Sequence, residues 1–145
     1  MNIRPMCEND IPQLSQMEKL CFSDPWSEAA FSYELGNPLS LWLVAAEDDL
    51  VLGYVGSQTV MDESDMMNLA VLPQYRRQGI GEKLVVSLME QLKNRGSVSL
   101  TLEVRVSNDR AISLYEKMGF LQVGRRPNYY RNPKEDAFIL RKELA

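Results

Sequence analysis

The 145-residue chain contains no histidine. That absence excludes Ser-His-Asp and Cys-His nucleophilic arrangements together with His-ligated zinc, and it leaves a carboxylate, a tyrosine, a lysine or water as any general base. Cysteine is scarce too. Cys7 and Cys21 are the only two, they form no metal-type pair, and both are expected as reduced thiols. No apolar run approaches the roughly 20 residues of a membrane span, and the opening MNIRPMCEND has no secretory apolar core, so a cytoplasmic protein without a membrane partner is expected. No long basic stripe accompanies the net charge of -4, which makes nucleic acid an unexpected partner. Repeats, linkers and low-complexity segments are missing as well, and residues 1–145 are expected to form a single domain.

What is present centres on Asn68 to Leu92. A short apolar run stops at Pro73, and a basic turn with Arg76 and Arg77 leads into Gly79 and Gly81. Beyond them Ile80, Leu84, Leu88 and Leu92 recur every fourth residue, with Val85 and Met89 beside them, so a helix with one apolar stripe runs to Gly96. The first amides of a helix lack intrahelical partners, and glycines let a ligand approach that backbone closely. With two arginines alongside, the turn suits a phosphate or pyrophosphate. No Gly-Lys-Ser/Thr follows and a third glycine is lacking, which excludes a Walker loop and the dinucleotide fingerprint. A solvated basic helix start is the alternative reading.

In chain order, Met1 to Arg4 reads as a short strand ended by Pro5. Asn9 or Asp10 is expected to cap a helix turning Ile11, Leu14, Met17 and Cys21 inward, with Pro12 in its first turn. Ser27 is expected to cap a second, short helix with Ala30, Phe31 and Leu35 on one side, closed by Gly36. Trp26, just before the cap, is either a hydrophobic staple or part of a substrate groove. Leu39 to Ala46 and Leu50 to Met61 form a hairpin around Glu47-Asp48-Asp49, and after a turn at Asp62 to Asp65 a strand runs from about Met66 to Leu72.

From Val98 the pattern alternates. Val98, Leu100, Leu102, Val104 and Val106 share one face; Ser99, Thr101, Glu103, Arg105 and Ser107 share the other. Glu103 therefore lies on a polar strand face, where pairing with a neighbour such as Arg105 is the bland reading. Asn108 is placed to cap a helix from Asp109 to Met118, whose face of Ala111, Leu114, Tyr115 and Met118 could make Tyr115 simple core filling. Phe120 to Arg126 and Glu135 to Arg141 close the chain as strands around an Arg/Asn/Tyr-rich loop, Pro127 to Lys134. The order is β-α-α-β-β-β-α-β-α-β-β, an α/β arrangement (α+β in some schemes) of about seven strands and four helices.

These residues resemble a known family. Arg76-Arg77-Gln78-Gly79-Ile80-Gly81 is similar to the R/Q-x-x-G-x-G/A acetyl-CoA signature of the GNAT acetyltransferase superfamily, and the element order is similar to its fold over nearly the whole chain. Leu102-Glu103-Val104-Arg105, Ser107-Asn108, Ala111-Ile112, Leu114-Tyr115-Glu116 and Gly119-Phe120 resemble the RimI-type ribosomal-protein alanine N-acetyltransferases. So do Phe22, Pro25-Trp26-Ser27, Asn128-Tyr129-Tyr130 and Glu135-Asp136-Ala137.

The resemblance implies a mixed, largely antiparallel sheet and acetyl-CoA as acetyl donor, with no metal. It places Leu69, Ala70 and Val71 along the acetyl and pantetheine arm, Arg76, Arg77, Gln78, Gly79, Ile80, Gly81 and Glu82 at the pyrophosphate, and Asn108 at the cofactor. It makes Glu103 the proton acceptor and Tyr115 the proton donor. The implied acceptor is a protein N-terminal peptide, the terminal alanine of small-subunit ribosomal protein eighteen, in a groove of Trp26, Tyr129 and Tyr130 with Arg126 or Arg131 nearby. For the two tyrosines an aromatic plug closing the sheet is the alternative. Lysine side chains or small-molecule amines remain alternative acceptors, and a non-catalytic acetyl-CoA-binding module is a third reading. The shorter C-terminal end, at Ala145, leaves any contact from a longer tail out of the expectation.

Overall fold

The computed structural model describes residues 1–144. Seven strands, β1 (Asn2–Pro5), β2 (Ser40–Glu47), β3 (Leu50–Val60), β4 (Glu63–Val71), β5 (Ser99–Arg105), β6 (Leu121–Arg131) and β7 (Lys134–Glu143), form one sheet in the order β1-β2-β3-β4-β5-β7-β6. Four helices, α1 (Ile11–Cys21), α2 (Glu28–Leu35), α3 (Ile80–Asn94) and α4 (Asp109–Lys117), cover it. The expected element order is the observed one.

Alternation along β2 shows how the two faces are filled. Leu41, Leu43 and Ala45 pack with Leu84, Val85, Leu88 and Leu92 of α3, while Trp42 and Val44 pack with Ile11, Leu14 and Met17 of α1 and Phe31 of α2. Each helix thus seals one face. The apolar stripe of α3 is fully buried, and Leu84 and Leu88 have no exposed surface.

Every neighbouring pair of strands is antiparallel except β4 and β5, which run parallel. Their pairing is brief, covering only Glu63↔Ser99, Ser64↔Leu100 and Asp65↔Thr101. Beyond Asp65 and Thr101 the strands part, leaving the β5-facing edge of β4 without a strand partner over Met66 to Val71. A bulge lies at the same place: Gly56 pairs with Asn68 and Ser57 with Met66, so Met67 is the extra residue. Because of it Met66 and Leu69, three apart, both face the α3 side, and Asn68 and Ala70 face α1.

Several local expectations are corrected. Asp10 holds the N-cap position of α1, but its side chain makes no cap bond there: a 3-10 turn, Glu8–Asp10, precedes the helix, and the Asp10 carboxylate accepts from the Cys7 N–H and from both terminal nitrogens of Arg4, each at 2.8 Å. Burial pushes this carboxyl up, but those donors outweigh burial and hold it below the usual range. Leu35 is 41% exposed, and α2 turns Phe31 and Glu34 inward instead. β4 starts three residues earlier than expected, at Glu63, since the turn needs only Met61 and Asp62. β5 ends at Arg105, short of Val106, and Ser99 on its nominally polar face is buried between β4 and β7. The expected loop of Pro127 to Lys134 is mostly strand: β6 and β7 form a long hairpin whose register shifts between Arg126 and Tyr130 absorb Pro127 and Asn128.

Candidate active site

The parting of β4 and β5 opens a cleft of about 570 Å³ through the sheet. Met66, Met67, Asn68 and Leu69 form one wall and Leu102, Glu103, Val104 and Arg105 the other. Its rim comes from the end of α1 and the following loop, the start of α4, and the β6–β7 hairpin.

Glu103 and Tyr115 reach this cleft from opposite faces. On β5, Leu100, Leu102 and Val104 belong to the α3-side core, so Glu103 turns to the α1 side. Its side chain is 21% exposed and pairs with Arg126 at 3.3 Å. Arg105 is engaged elsewhere, with Glu135 at 3.2 Å and the Pro133 carbonyl at 2.8 Å, which removes the pairing expected as the bland reading. Tyr115 belongs to the α3-side core, edge-on to Phe120, and its hydroxyl touches the Met66 sulfur at 4.0 Å. A thioether is a weak acceptor. Burial, with a smaller effect of Tyr130, pushes the Tyr115 hydroxyl well above the ordinary tyrosine range, so it stays protonated at neutral pH.

Of the other expected cofactor residues, Leu69 and Asn108 line the cleft. Asn108 also caps α4, its side-chain oxygen accepting from the Ala111 N–H at 3.2 Å. Ala70 faces the α1-side core and Val71 packs on the α3 side, and neither lines the cleft. Arg76, Arg77, Gln78, Gly79, Gly81 and Glu82 lie past the end of β4, at the start of α3. The first helical bond runs from the Lys83 N–H to the Gly79 carbonyl, so the preceding amides have no partner within the helix. Gly79 adopts φ +79° with nothing within 4 Å of where a Cβ would stand. The amide edge is therefore open, as an anionic group requires. Arg77 is left-handed as well, at φ 65°, and Arg76 folds back, donating from Nε to the Val71 carbonyl at 3.2 Å. Ile80 contributes its side chain to the core.

On the acceptor side the cleft gathers Trp26, Tyr129 and Tyr130. Trp26 stacks against Phe31 and Trp42, with centroids 5.5 and 5.3 Å away, and is staple and groove wall at once. Tyr129 and Tyr130 meet edge-on at 5.0 Å, and Arg105 lies 4.2 Å over the Tyr130 ring. Burial and the neighbouring Tyr129 push the Tyr130 hydroxyl up to about 12. Arg126 reaches the site through Glu103; Arg131 is exposed at the hairpin tip and does not line the cleft.

Sequence reasoning missed two features. Glu18 has no exposed surface and sits at the cleft floor, where it accepts from the Trp26 N–H at 2.8 Å, the Asn68 side-chain nitrogen at 2.6 Å and the Tyr54 hydroxyl. A signal existed: Glu18 falls four residues after Leu14 and seven after Ile11, an acid on an apolar stripe. The second is a strap across the rim, in which Ser23 donates to the Asn132 carbonyl and Asn132 donates to Asp24 at 3.2 Å. Partners more than a hundred residues apart leave no local trace.

A family model described as Acetyltransferase (GNAT) family matches residues 11–120. The chain belongs to the GNAT acetyltransferase family. A ribosomal protein bS18-alanine N-acetyltransferase of Salmonella typhimurium is 41% identical over 134 residues, covering 90% of this chain and 89% of that protein. The crystal structure of the ribosomal-protein-S18-alanine N-acetyltransferase from Escherichia coli superposes with a TM-score of 0.91 at 34% identity, covering 99% of this chain and 94% of the other. The NatC complex bound to Gag peptide and CoA superposes at 0.85 with 25% identity, covering 99% and 98%. The cleft in this GNAT chain lies where its two central parallel strands separate. Among the described residues no group of three or more Cys, Asp or Glu could hold a metal ion, and no helix is long and apolar enough to cross a membrane.

Proposed function

We propose that residues 1–145 act as one catalytic domain that transfers the acetyl group of acetyl-CoA to the N-terminal α-amine of a protein, the terminal alanine of ribosomal protein bS18. One observation carries the chemistry: where β4 and β5 part, Glu103 and Tyr115 enter a single cleft from opposite faces of the sheet. The acceptor follows from the names of relatives 38–41% identical to this chain.

Acetyl-CoA supplies the acetyl group as a thioester. The unpaired edge of β4 from Met66 to Val71 suits its arm, and the free amides around Gly79 to Glu82, with Arg76, Arg77 and Gln78 beside them, suit its pyrophosphate. Asn108 borders the same arm from α4. The acceptor peptide then enters from the α1 side, between Trp26 and the Tyr129–Tyr130 pair, with Arg126 beside it through Glu103.

An α-amine titrates near 7.7–8.0, against about 10.4 for lysine, so a carboxylate removes its proton at neutral pH with less difficulty. Glu103, directly or through one water, accepts that proton as the amine nitrogen bonds to the acetyl carbon. A backbone N–H in Leu69 to Val71 steadies the charge that develops on the acetyl oxygen. As the carbon–sulfur bond breaks, the Tyr115 hydroxyl gives its proton to the sulfur. Direct transfer needs no acyl-cysteine, and a Cys7→Ser/Cys21→Ser variant is expected to retain turnover. A ribosomal protein as acceptor supports a cytoplasmic location.

Mass spectrometry tests the proposal. The protein is mixed with acetyl-CoA, a peptide beginning with free alanine, and a second peptide with a blocked terminus and one lysine. A single acetyl group on the alanine nitrogen is expected; acetylation only at lysine moves the activity to another acceptor class, and transfer to neither overturns it.

A further inference from the structure

The β4 bulge turns Asn68 toward α1, onto the same side of the sheet as Glu103, and Asn68 lines the cleft between the Glu18 floor and the parting strands. Its side-chain nitrogen donates to Glu18 Oε2 at 2.6 Å. Glu18 also accepts from the Tyr54 hydroxyl at that oxygen and from the Trp26 N–H at the other; burial pushes its carboxyl up, these two donors oppose that shift, and toward Asn68 it presents an accepting oxygen. The amide is thereby held with Nδ2 against Glu18 and Oδ1 turned away. Asn68 Oδ1 has no hydrogen-bond partner among the described residues. An oriented carbonyl oxygen without a protein partner, on the wall of a cleft that also carries Glu103, suits an N–H donor.

We infer that Asn68 recognises the acceptor: its Oδ1 accepts a hydrogen bond from an N–H of the acceptor's first residue or following amide, and Glu18 is the positioning residue that orients it. The inference rests on the reading that a peptide terminus enters from the α1 side. Its consequence is a division of labour in which Glu103 takes the proton that leaves and Asn68 holds the terminus in register for attack. A ligand that offers an N–H fills the site; one without it leaves Oδ1 unpaired, which costs specificity as well as affinity. The same carboxylate ties down the Trp26 backbone, so the floor, the groove loop and the β4 wall share one anchor.

Steady-state kinetics with an alanine-starting peptide, for wild type, Asn68→Ala, Glu18→Gln and the double variant, test this. Asn68→Ala is expected to lower kcat/KM for the peptide by about thirtyfold, with the KM for acetyl-CoA unchanged. Glu18→Gln, whose carboxamide lets Asn68 turn over, is expected to lower the same ratio about tenfold alone and less than about twofold in the Asn68→Ala background. Kinetics of Asn68→Ala within twofold of wild type, or a double variant that multiplies the two single effects, would overturn it. So would a rise in the acetyl-CoA KM matching that for the peptide, the mark of a merely structural role. Should Glu18→Gln not fold, Asn68→Ala decides alone. A wild-type protein that leaves the peptide unmodified overturns the acceptor reading and this inference together, whereas modification by wild type and Asn68→Ala at equal rates overturns the inference only. With a peptide carrying an ester in place of its first amide, an unchanged thirtyfold effect assigns the bond to the amine, and loss of the effect assigns it to the amide.

Discussion

A carboxylate that takes a proton from an amine works best where water is scarce, and Glu103 lies four-fifths buried beside Arg126. Glu103→Gln is expected to lower kcat about 10²- to 10³-fold while acetyl-CoA binding by calorimetry is retained. Tyr115→Phe is expected to lower kcat with both KM values little changed. Because burial raises the Tyr115 hydroxyl above its ordinary value near 10, the proton needed for the sulfur is present at neutral pH and remains through pH 10. The rate profile of the wild type should therefore show no alkaline fall from this group below pH 10; a fall centred near pH 8 that vanishes in Tyr115→Phe would refute the role. Both residues were legible as candidates from spacing and resemblance, but not their environment. Arg126, which neutralises Glu103, lies 23 positions away and meets it only through the pairing of β7 with both β5 and β6.

At the scale of elements, the turn from β4 into α3 gathers the open amides and arginines of the proposed anion site. Gly79 is left-handed at φ +79° in open space, so a Cβ there meets no neighbour and its cost is conformational. Gly79→Ala should destabilise the protein by about 1–2 kcal/mol and raise the KM for acetyl-CoA, because the methyl stands over amides a phosphate must approach, with the peptide KM unchanged. Urea titration and initial rates measure the two effects; a rise confined to the peptide KM would move the anion site elsewhere. The stripe of α3, the cap at Asn108 and the alternation of β5 were all readable because each is a periodic or nearest-neighbour pattern. The two strands β6 and β7 were readable too, but the continuation of their hairpin through Pro127 to Arg131 was not. Proline, asparagine and arginine suggested a loop, whereas ladder bonds to β7 on both sides of a bulge hold them as strand.

For the molecule as a whole, the cleft exists because two strands of one sheet are parallel for three pairs and then diverge. A ligand seated along that seam binds only the folded chain, so acetyl-CoA at a hundred times its dissociation constant should add about 2.7 kcal/mol to the free energy of unfolding. Thermal unfolding with and without acetyl-CoA checks this, and an unchanged midpoint at saturating ligand would argue against a preformed site. The chain by itself determined the family and the order of its elements, and through its resemblance it marked Glu103, Tyr115 and the Arg76 to Gly81 turn as the proposed base, acid and phosphate site, since these reside in local spacing and residue chemistry. Only the tertiary structure decided that Glu103 pairs with Arg126, that Asp24 and Asn132 strap the rim, and that a bulge turns Asn68 onto the buried Glu18. Those relations join residues tens of positions apart, and a register shift of one residue, invisible to periodicity, selects the face on which each side chain acts.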